Sequence, residues 1–325
     1  MKALVTGATG FVGSHVCDVL AARGDTVVVL ARDAARAAPL ARLGARVALG
    51  TLEDDAALAA AVAGVDVVYH LAGLTAAVSE AAYLQVNEHG TRRLAQAVRA
   101  ASPAPRFVYV STQAVLGPSA PGQALDEDAP CRPLTAYGRS KLAGEAVVRA
   151  TEGLAWTIVR PPAVYGPRDR EFLKLFQLVR TGLAPVFGWG LQQLSLVYAP
   201  DLADAIVRAG TTPAAVRQTY HAAHPEVVTT RELAMAVGRA VGRTPLIIPV
   251  PGAVATPLVS VIGRIAAARG RLSTLNADKM AEFLAPAWVV SSAKAERELG
   301  WRAGHGLAEG LRLTAAWYRE AGWLR

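Results

Sequence analysis

The stretch KALVTGATGFVG, residues 2–13, decides the fold. Its first residues form a short apolar, β-branched run that reads as a buried strand, and residues 11–23 follow with a helical pattern. Between them Gly7, Gly10 and Gly13 recur at three-residue spacing. In a strand–loop–helix turn the first glycine permits the tight reversal. The second lets the backbone approach a pyrophosphate, and the third lets helix pack on strand. The free N–H groups and positive end of the helix then face the phosphates. The stretch therefore predicts a dinucleotide-binding turn.

Working outward, the first half alternates strands and helices. Strand patterns cover 2–7, 26–32, 45–49, 65–72 and 106–112, separated by helical patterns at 11–23, 34–43, 54–63 and 81–101. Such alternation indicates βαβ units, a parallel sheet covered on both faces and a doubly wound, Rossmann-type α/β fold. A Pro- and Gly-rich acidic loop spans 117–133, followed by a helix over 134–153 and a strand over 156–161. After Pro167 the texture changes to apolar helices at 170–182, 201–209, 229–242 and 305–321, mixed with short strands and Pro-rich links. We assign 1–167 to the dinucleotide-binding domain and 168–325 mainly to a smaller, mixed C-terminal substrate lobe, with 190–222 returning to the sheet.

With 325 residues, 52% hydrophobic and 18% charged, the chain can bury a large core. Its two cysteines, Cys17 and Cys131, build no disulfide framework and fit a reducing, cytoplasmic setting; no signal-peptide pattern is seen. The apolar stretch 252–268 contains Pro257, Gly263 and Arg264 and falls short of a membrane span. It reads as a core helix or pocket wall, with membrane association as the alternative. The net charge of +8 is carried by scattered arginines without interleaved aromatics, which argues against nucleic acid and suits an anionic cofactor. The histidines, among them His70, His221 and His224, show no ligand spacing, so no metal is expected.

The end of the second strand discriminates between cofactors. An acidic residue there would bind the ribose hydroxyls of NAD, whereas a basic one pairs with the 2′-phosphate of NADP. Arg32 stands there with Arg36 one turn beyond, favouring NADP(H); the alternative is an exposed Arg32, with Asp33 on the ribose and NAD(H) as cofactor. YGRSK, residues 137–141, places Tyr137 and Lys141 on one helix face, which taken alone reads equally as an ordinary solvated face. An adjacent ammonium would lower the phenol pKa, allowing Tyr137 to exchange a proton with a substrate oxygen during hydride transfer. Thr112, at the carboxyl end of a strand, could hold the same oxygen.

Together these motifs resemble the extended short-chain dehydrogenase/reductase superfamily, which includes NAD-dependent epimerases and dehydratases, 3β-hydroxysteroid dehydrogenase-like enzymes and dihydroflavonol reductase-like enzymes. The likeness covers nearly the whole chain, through TGATGFVG, VVYHLAG (67–73), VNEHGTRRL (86–94), FVYVSTQAVLG (107–117), YGRSK, IVRPPAVYGP (158–167), YAPDLADAI (198–206) and AKAERELGW (293–301). It implies Thr112, Tyr137 and Lys141 as the catalytic set. It also implies cofactor contacts from Gly7, Thr9, Gly10, Phe11, Val12, Gly13, Arg32, Leu52, Leu71, Ala72, Asn87, Tyr137, Lys141 and Pro161, and a homodimer through 81–101 and 134–153. Departures narrow the function. Gln113 and Ala114 replace the Asp-Glu pair of sugar dehydratases, Ala163 replaces an Asn of nucleotide-sugar epimerases, and Thr51 replaces an adenine-side Asp. Leu74, Thr75, Gln113, Phe172, Phe176, Trp189 and Trp288 are candidates for an apolar substrate cleft, with core packing as the alternative for each. The expectation is an NADP(H)-dependent oxidoreductase acting on an apolar secondary alcohol or ketone. The alternatives are a nucleotide-sugar epimerase with retained NAD and a non-enzymatic dinucleotide sensor.

Overall fold

The computed structural model describes residues 1–257 and 277–324. Seven strands form the central sheet: β1 (Lys2–Thr6), β2 (Thr26–Ala31), β3 (Arg46–Leu49), β4 (Val67–His70), β5 (Arg106–Val110), β6 (Trp156–Arg160) and β10 (Gln218–His221). Their order is β10-β6-β5-β4-β1-β2-β3, and every pairing is parallel. The order reverses beside β1, so a crevice opens outside the carboxyl ends of β1 and β4.

Alternate residues of each strand serve opposite faces, as the two-residue period requires. Ala3, Val5, Val27, Val29 and Tyr69 pack in one core with Val16 and Leu20 of α1 (Phe11–Ala22) and Leu202 and Ile206 of α8 (Ala199–Thr211). Leu4, Val28, Val68, Phe107 and Tyr109 pack in the other core. Their partners there are Leu58 of α3 (Asp55–Val62), Leu94 and Val98 of α5 (Thr91–Ala100) and Val148 of α6 (Ala136–Ala150). α2 (Ala34–Arg42) follows β2, its N-terminus capped by Asp33, which accepts from the Ala35 and Arg36 amides.

The helical pattern of 81–101 is not one regular helix. α4 (Glu80–Leu84) runs into a π-helical turn (Gln85–Gly90) before α5 begins. Hydrophobic period alone does not distinguish the wider turn from α-helix.

A third core belongs to the C-terminal lobe. It gathers β7 (Ala163–Tyr165), α7 (Arg170–Arg180), β8 (Leu183–Phe187), β9 (Gln193–Tyr198), β11 (Val227–Thr229), α9 (Thr230–Val241) and α12 (Leu307–Glu320). β9 pairs with β7, β11 and β13 (Ala287–Trp288), while β8 pairs in parallel with β12 (Leu246–Val250). Within 190–222, α8 and β10 join the main sheet layer but β9 lies in the lobe. α11 (Ala293–Leu299) also packs in the main core, through Ala295 and Leu299. Of the apolar stretch 252–268, residues 252–257 are helical and the remainder lies outside the described residues. Among the described residues no helix is long and apolar enough to cross a membrane.

Candidate active site

The glycine turn is shaped for a backbone-bound ligand. Gly7 sits at φ 74°, a left-handed conformation, and a Cβ there would meet the Ala72 amide at 2.6 Å. A Cβ on Gly13 would collide with the Gly7 carbonyl, so α1 packs directly on the turn. At Gly10, among the described residues, such a Cβ would meet the Gly7 oxygen alone, which leaves its outer side open. Among the described residues no side chain caps α1, and its first turn carries no acid, so its leading N–H groups stay available to an anion. These features fit a dinucleotide pyrophosphate. Thr9, Phe11 and Val12 belong to the same turn, while Leu71 and Ala72 run against Gly7 and bond to Thr6.

A polar chain ties this turn to the helix bearing Tyr137. Thr6 bonds His70 Nδ1 at 2.7 Å, and His70 Nε2 bonds Thr91 Oγ1 at 3.0 Å. Thr91 donates to the Asn87 carbonyl at 2.8 Å. The Asn87 side chain donates to Ser140 Oγ at 2.9 Å and to the Leu74 carbonyl, and accepts from the Leu74 amide. Ser140 in turn donates to the Tyr137 carbonyl. His70 is fully buried, and burial, aided by Lys141, pushes its pKa down to about 3, so it is a neutral bridge. Asn87 is thus a brace for the 74–75 loop and α6. Ser140 and Thr91 escape sequence reading because small hydroxyl residues on helices are ordinary.

Tyr137 and Lys141 both project from α6, whose N-terminus is capped by Thr135. Thr112, just past β5, accepts from the Ala114 amide and also hydrogen-bonds the Tyr137 phenol. Lys141 Nζ lies 4.1 Å above the Tyr109 ring and close to Gly73. Burial pushes the Lys141 amine down to about 7, while Glu145 one turn on acts the other way. Burial also pushes the Tyr137 phenol up to about 12, with Thr112 drawing it down and Glu282 and Tyr83 raising it. The expected lowering by an adjacent ammonium is therefore not met. Desolvation dominates both groups, so the phenol is held in its protonated form.

Beneath them Glu145 forms a buried, two-pronged ion pair with Arg160 at 2.7 and 2.8 Å, and Ser111 donates to Glu145 at 2.6 Å. Burial alone would raise this carboxyl, but the Arg160 guanidinium outweighs it and holds the pKa low. The Gln113 amide bonds the Pro161 carbonyl, joining the ends of β5 and β6, while Gln113 Oε1 is buried without a partner among the described residues.

The candidate substrate residues separate. The backbone of Leu74 is held by Asn87, and Thr75 accepts from Tyr83, whose ring lies 6.1 Å from that of Tyr137. Phe172 and Phe176 instead pack in the lobe core with Tyr165 and Tyr318, because α7 turns its apolar stripe inward. Trp189 is an exposed turn residue, and Trp288 donates to the Glu282 carbonyl. The wall near Tyr137 includes two residues not foreseen, both on α10 (Ala277–Leu284). Lys279 lies 5.2 Å from the Tyr137 ring centroid and pairs with Glu282, which accepts from Thr135. Leu52 packs against Gly90 of the π-helical turn. Arg32 and Arg36 are exposed, and neither is in an ion pair among the described residues. Asp33 is engaged as the cap of α2.

The NAD dependent epimerase/dehydratase family model matches residues 3–223, spanning the glycine turn, Thr112, Tyr137 and Lys141. The chain belongs to that family. It is accordingly an NAD(P)-dependent enzyme of the extended short-chain dehydrogenase/reductase type. It is 34% identical to the ceramide reductase of Caulobacter vibrioides over 98% of this chain and 95% of that one. A second relative is the 4-hydroxy-2-methyl-3-oxo-4-farnesyl-3,4-dihydroquinoline-1-oxide ketoreductase of Stigmatella aurantiaca, 37% identical over 56% of each chain. Among solved structures, the UDP-glucose 4-epimerase of Thermus thermophilus in complex with NAD superposes with a TM-score of 0.78 at 27% identity. That match covers 99% of this chain and all of the other.

Proposed function

We propose that this enzyme is an NADP(H)-dependent reductase interconverting a ketone and a secondary alcohol on an apolar, lipid-like substrate. The observation that carries the reading is the desolvated Tyr137 phenol, kept protonated and hydrogen-bonded to Thr112. A protonated phenol is the form needed to donate to a carbonyl oxygen as it gains negative charge. Thr112 accepts from Ala114 and directs its own proton to the Tyr137 phenol, so a carbonyl oxygen entering between the two hydroxyls would be held by both. The bound nicotinamide supplies or accepts the hydride. Lys141, near neutrality in pKa and beside Gly73, is positioned to hydrogen-bond the cofactor ribose.

The NADP preference draws on Arg32, at the carboxyl end of β2, and Arg36 in the first turn of α2, both exposed and outside any ion pair among the described residues, where an adenosine 2′-phosphate would lie. The substrate class draws on the whole-length likeness to ceramide reductase and on the absence of acid groups at Gln113 and Ala114 for sugar dehydration. Purified enzyme with NADPH and long-chain ketones should show loss of nicotinamide absorbance, and Tyr137→Phe should abolish it while cofactor affinity stays within about twofold. Turnover of a UDP-sugar with a retained cofactor, and none of any ketone, would establish the epimerase reading instead.

A further inference from the structure

Among the described residues, part of one face of β8 and β12 is left out of the lobe core. In β8 and β12 the register pairs Leu183 with Leu246 and Pro185 with Ile248. Ala184 and Val186 alternate with them and are buried in the lobe core, so the paired residues point outward. Leu246 is 65% exposed and Leu183 43%. At the end of β8 the turn FGWGL carries Trp189 at 74% exposure and Leu191 at 67%. Isolated exposed apolar residues are ordinary, but two in-register pairs continuous with a Trp-bearing tip form a patch.

The rim of this patch is basic. Arg180 precedes β8, Arg243 precedes β12, and Arg231 bonds its amide to the Gly190 carbonyl. All three are exposed, and none is in an ion pair among the described residues. No Asp or Glu occurs between Glu232 and Asp278 in the sequence. An apolar surface bearing an exposed Trp and ringed by these arginines matches the layering of a bilayer interface. Trp sits at headgroup depth, aliphatic side chains lie just below, and guanidinium groups meet anionic phosphates.

The patch is one helix away from Tyr137. On α10, Lys279 and Glu282 face Tyr137 and Thr135, whereas Met280 and Phe283 cover Phe187 and Val250, the next pair along the same face as the patch. We infer that the outer face of β8 and β12, with the Trp189 tip, docks the enzyme on an anionic membrane surface. A lipid-like substrate would then enter beside α10. This rests on the lipid reading of the substrate, but binding to vesicles and turnover of a ketone are measured separately.

Sedimentation with vesicles of equal parts phosphatidylglycerol and phosphatidylcholine tests it. The wild-type enzyme should bind at low salt and bind phosphatidylcholine alone much more weakly. Trp189→Ser combined with Leu191→Ser should weaken binding by about tenfold or more, and Arg180→Gln with Arg243→Gln should flatten its salt dependence. Leu246→Ser with Ile248→Ser should weaken binding while leaving turnover of a short, water-soluble ketone unchanged. The inference is overturned if wild-type enzyme fails to sediment or if the variants bind equally well. It is also overturned if the same substitutions convert a concentration-dependent dimer to a monomer, since a second copy would then cover the face. Failure of every ketone with vesicle binding intact would remove the reductase reading and leave the docking surface standing.

Discussion

Replacing Lys141 by Met removes an ionisation that opposes folding, and the pH dependence of the gain is set by the site. The amine is displaced by burial from its ordinary 10.5 to about 7. At 1.36 kcal/mol per pH unit, confining the ammonium to this environment costs about 5 kcal/mol when both folded and unfolded chains carry the charge. That condition holds below about pH 7. Above it the folded amine releases its proton while the unfolded one keeps it until 10.5, so wild-type stability climbs with pH. Between about pH 6 and pH 9 the penalty shrinks by about 3 kcal/mol. Met has similar length and no charge, so the advantage of Lys141→Met should be largest near pH 6 and fall by that amount at pH 9. For a chain of this size the change amounts to about 4 °C in Tm, within reach of differential scanning calorimetry across a pH series. An advantage that is flat with pH, or that grows as pH rises, would refute the claim that burial controls this amine.

Other expectations follow from the same geometry. Glu145→Ala leaves the Arg160 guanidinium buried without its partner and should cost about 3–5 kcal/mol in denaturant unfolding. Gly13→Ala drives a methyl group into the Gly7 carbonyl and should weaken NADPH binding about tenfold or more while lowering Tm. Arg32→Ser with Arg36→Ser should raise the Kd for NADPH by about tenfold to a hundredfold, the value of a lost charged hydrogen bond, and leave NADH nearly unaffected in fluorescence titration.

Much of the fold was legible because its cause is local. Strand runs such as 26–32 are apolar on both faces, which only a sheet covered on both sides satisfies, and the parallel seven-stranded order followed. The glycine spacing demanded a tight turn, and Gly7 adopts the left-handed backbone that a side chain would strain. The polar bridge His70–Thr91–Asn87–Ser140 was not legible, because its members lie on four separate elements and none has a distinctive spacing. Phe172 and Phe176 were ambiguous for the opposite reason. An aromatic stripe on α7 serves a cleft or a core equally well, and only the packing of Tyr165 and Tyr318 against it decided for core.

By itself the sequence determined the parallel sheet, the tight glycine turn and the presence of Tyr137 and Lys141 on one helix, since each depends on residues within a few turns of one another. Tertiary structure alone decided the direction in which those two groups shift, because burial between Tyr109 and α10 is what removes water from them. It likewise decided that Lys279 and Glu282, about 140 residues further along the chain, stand against α6. Proximity across such a separation is fixed by how the lobe packs, and no local pattern encodes it.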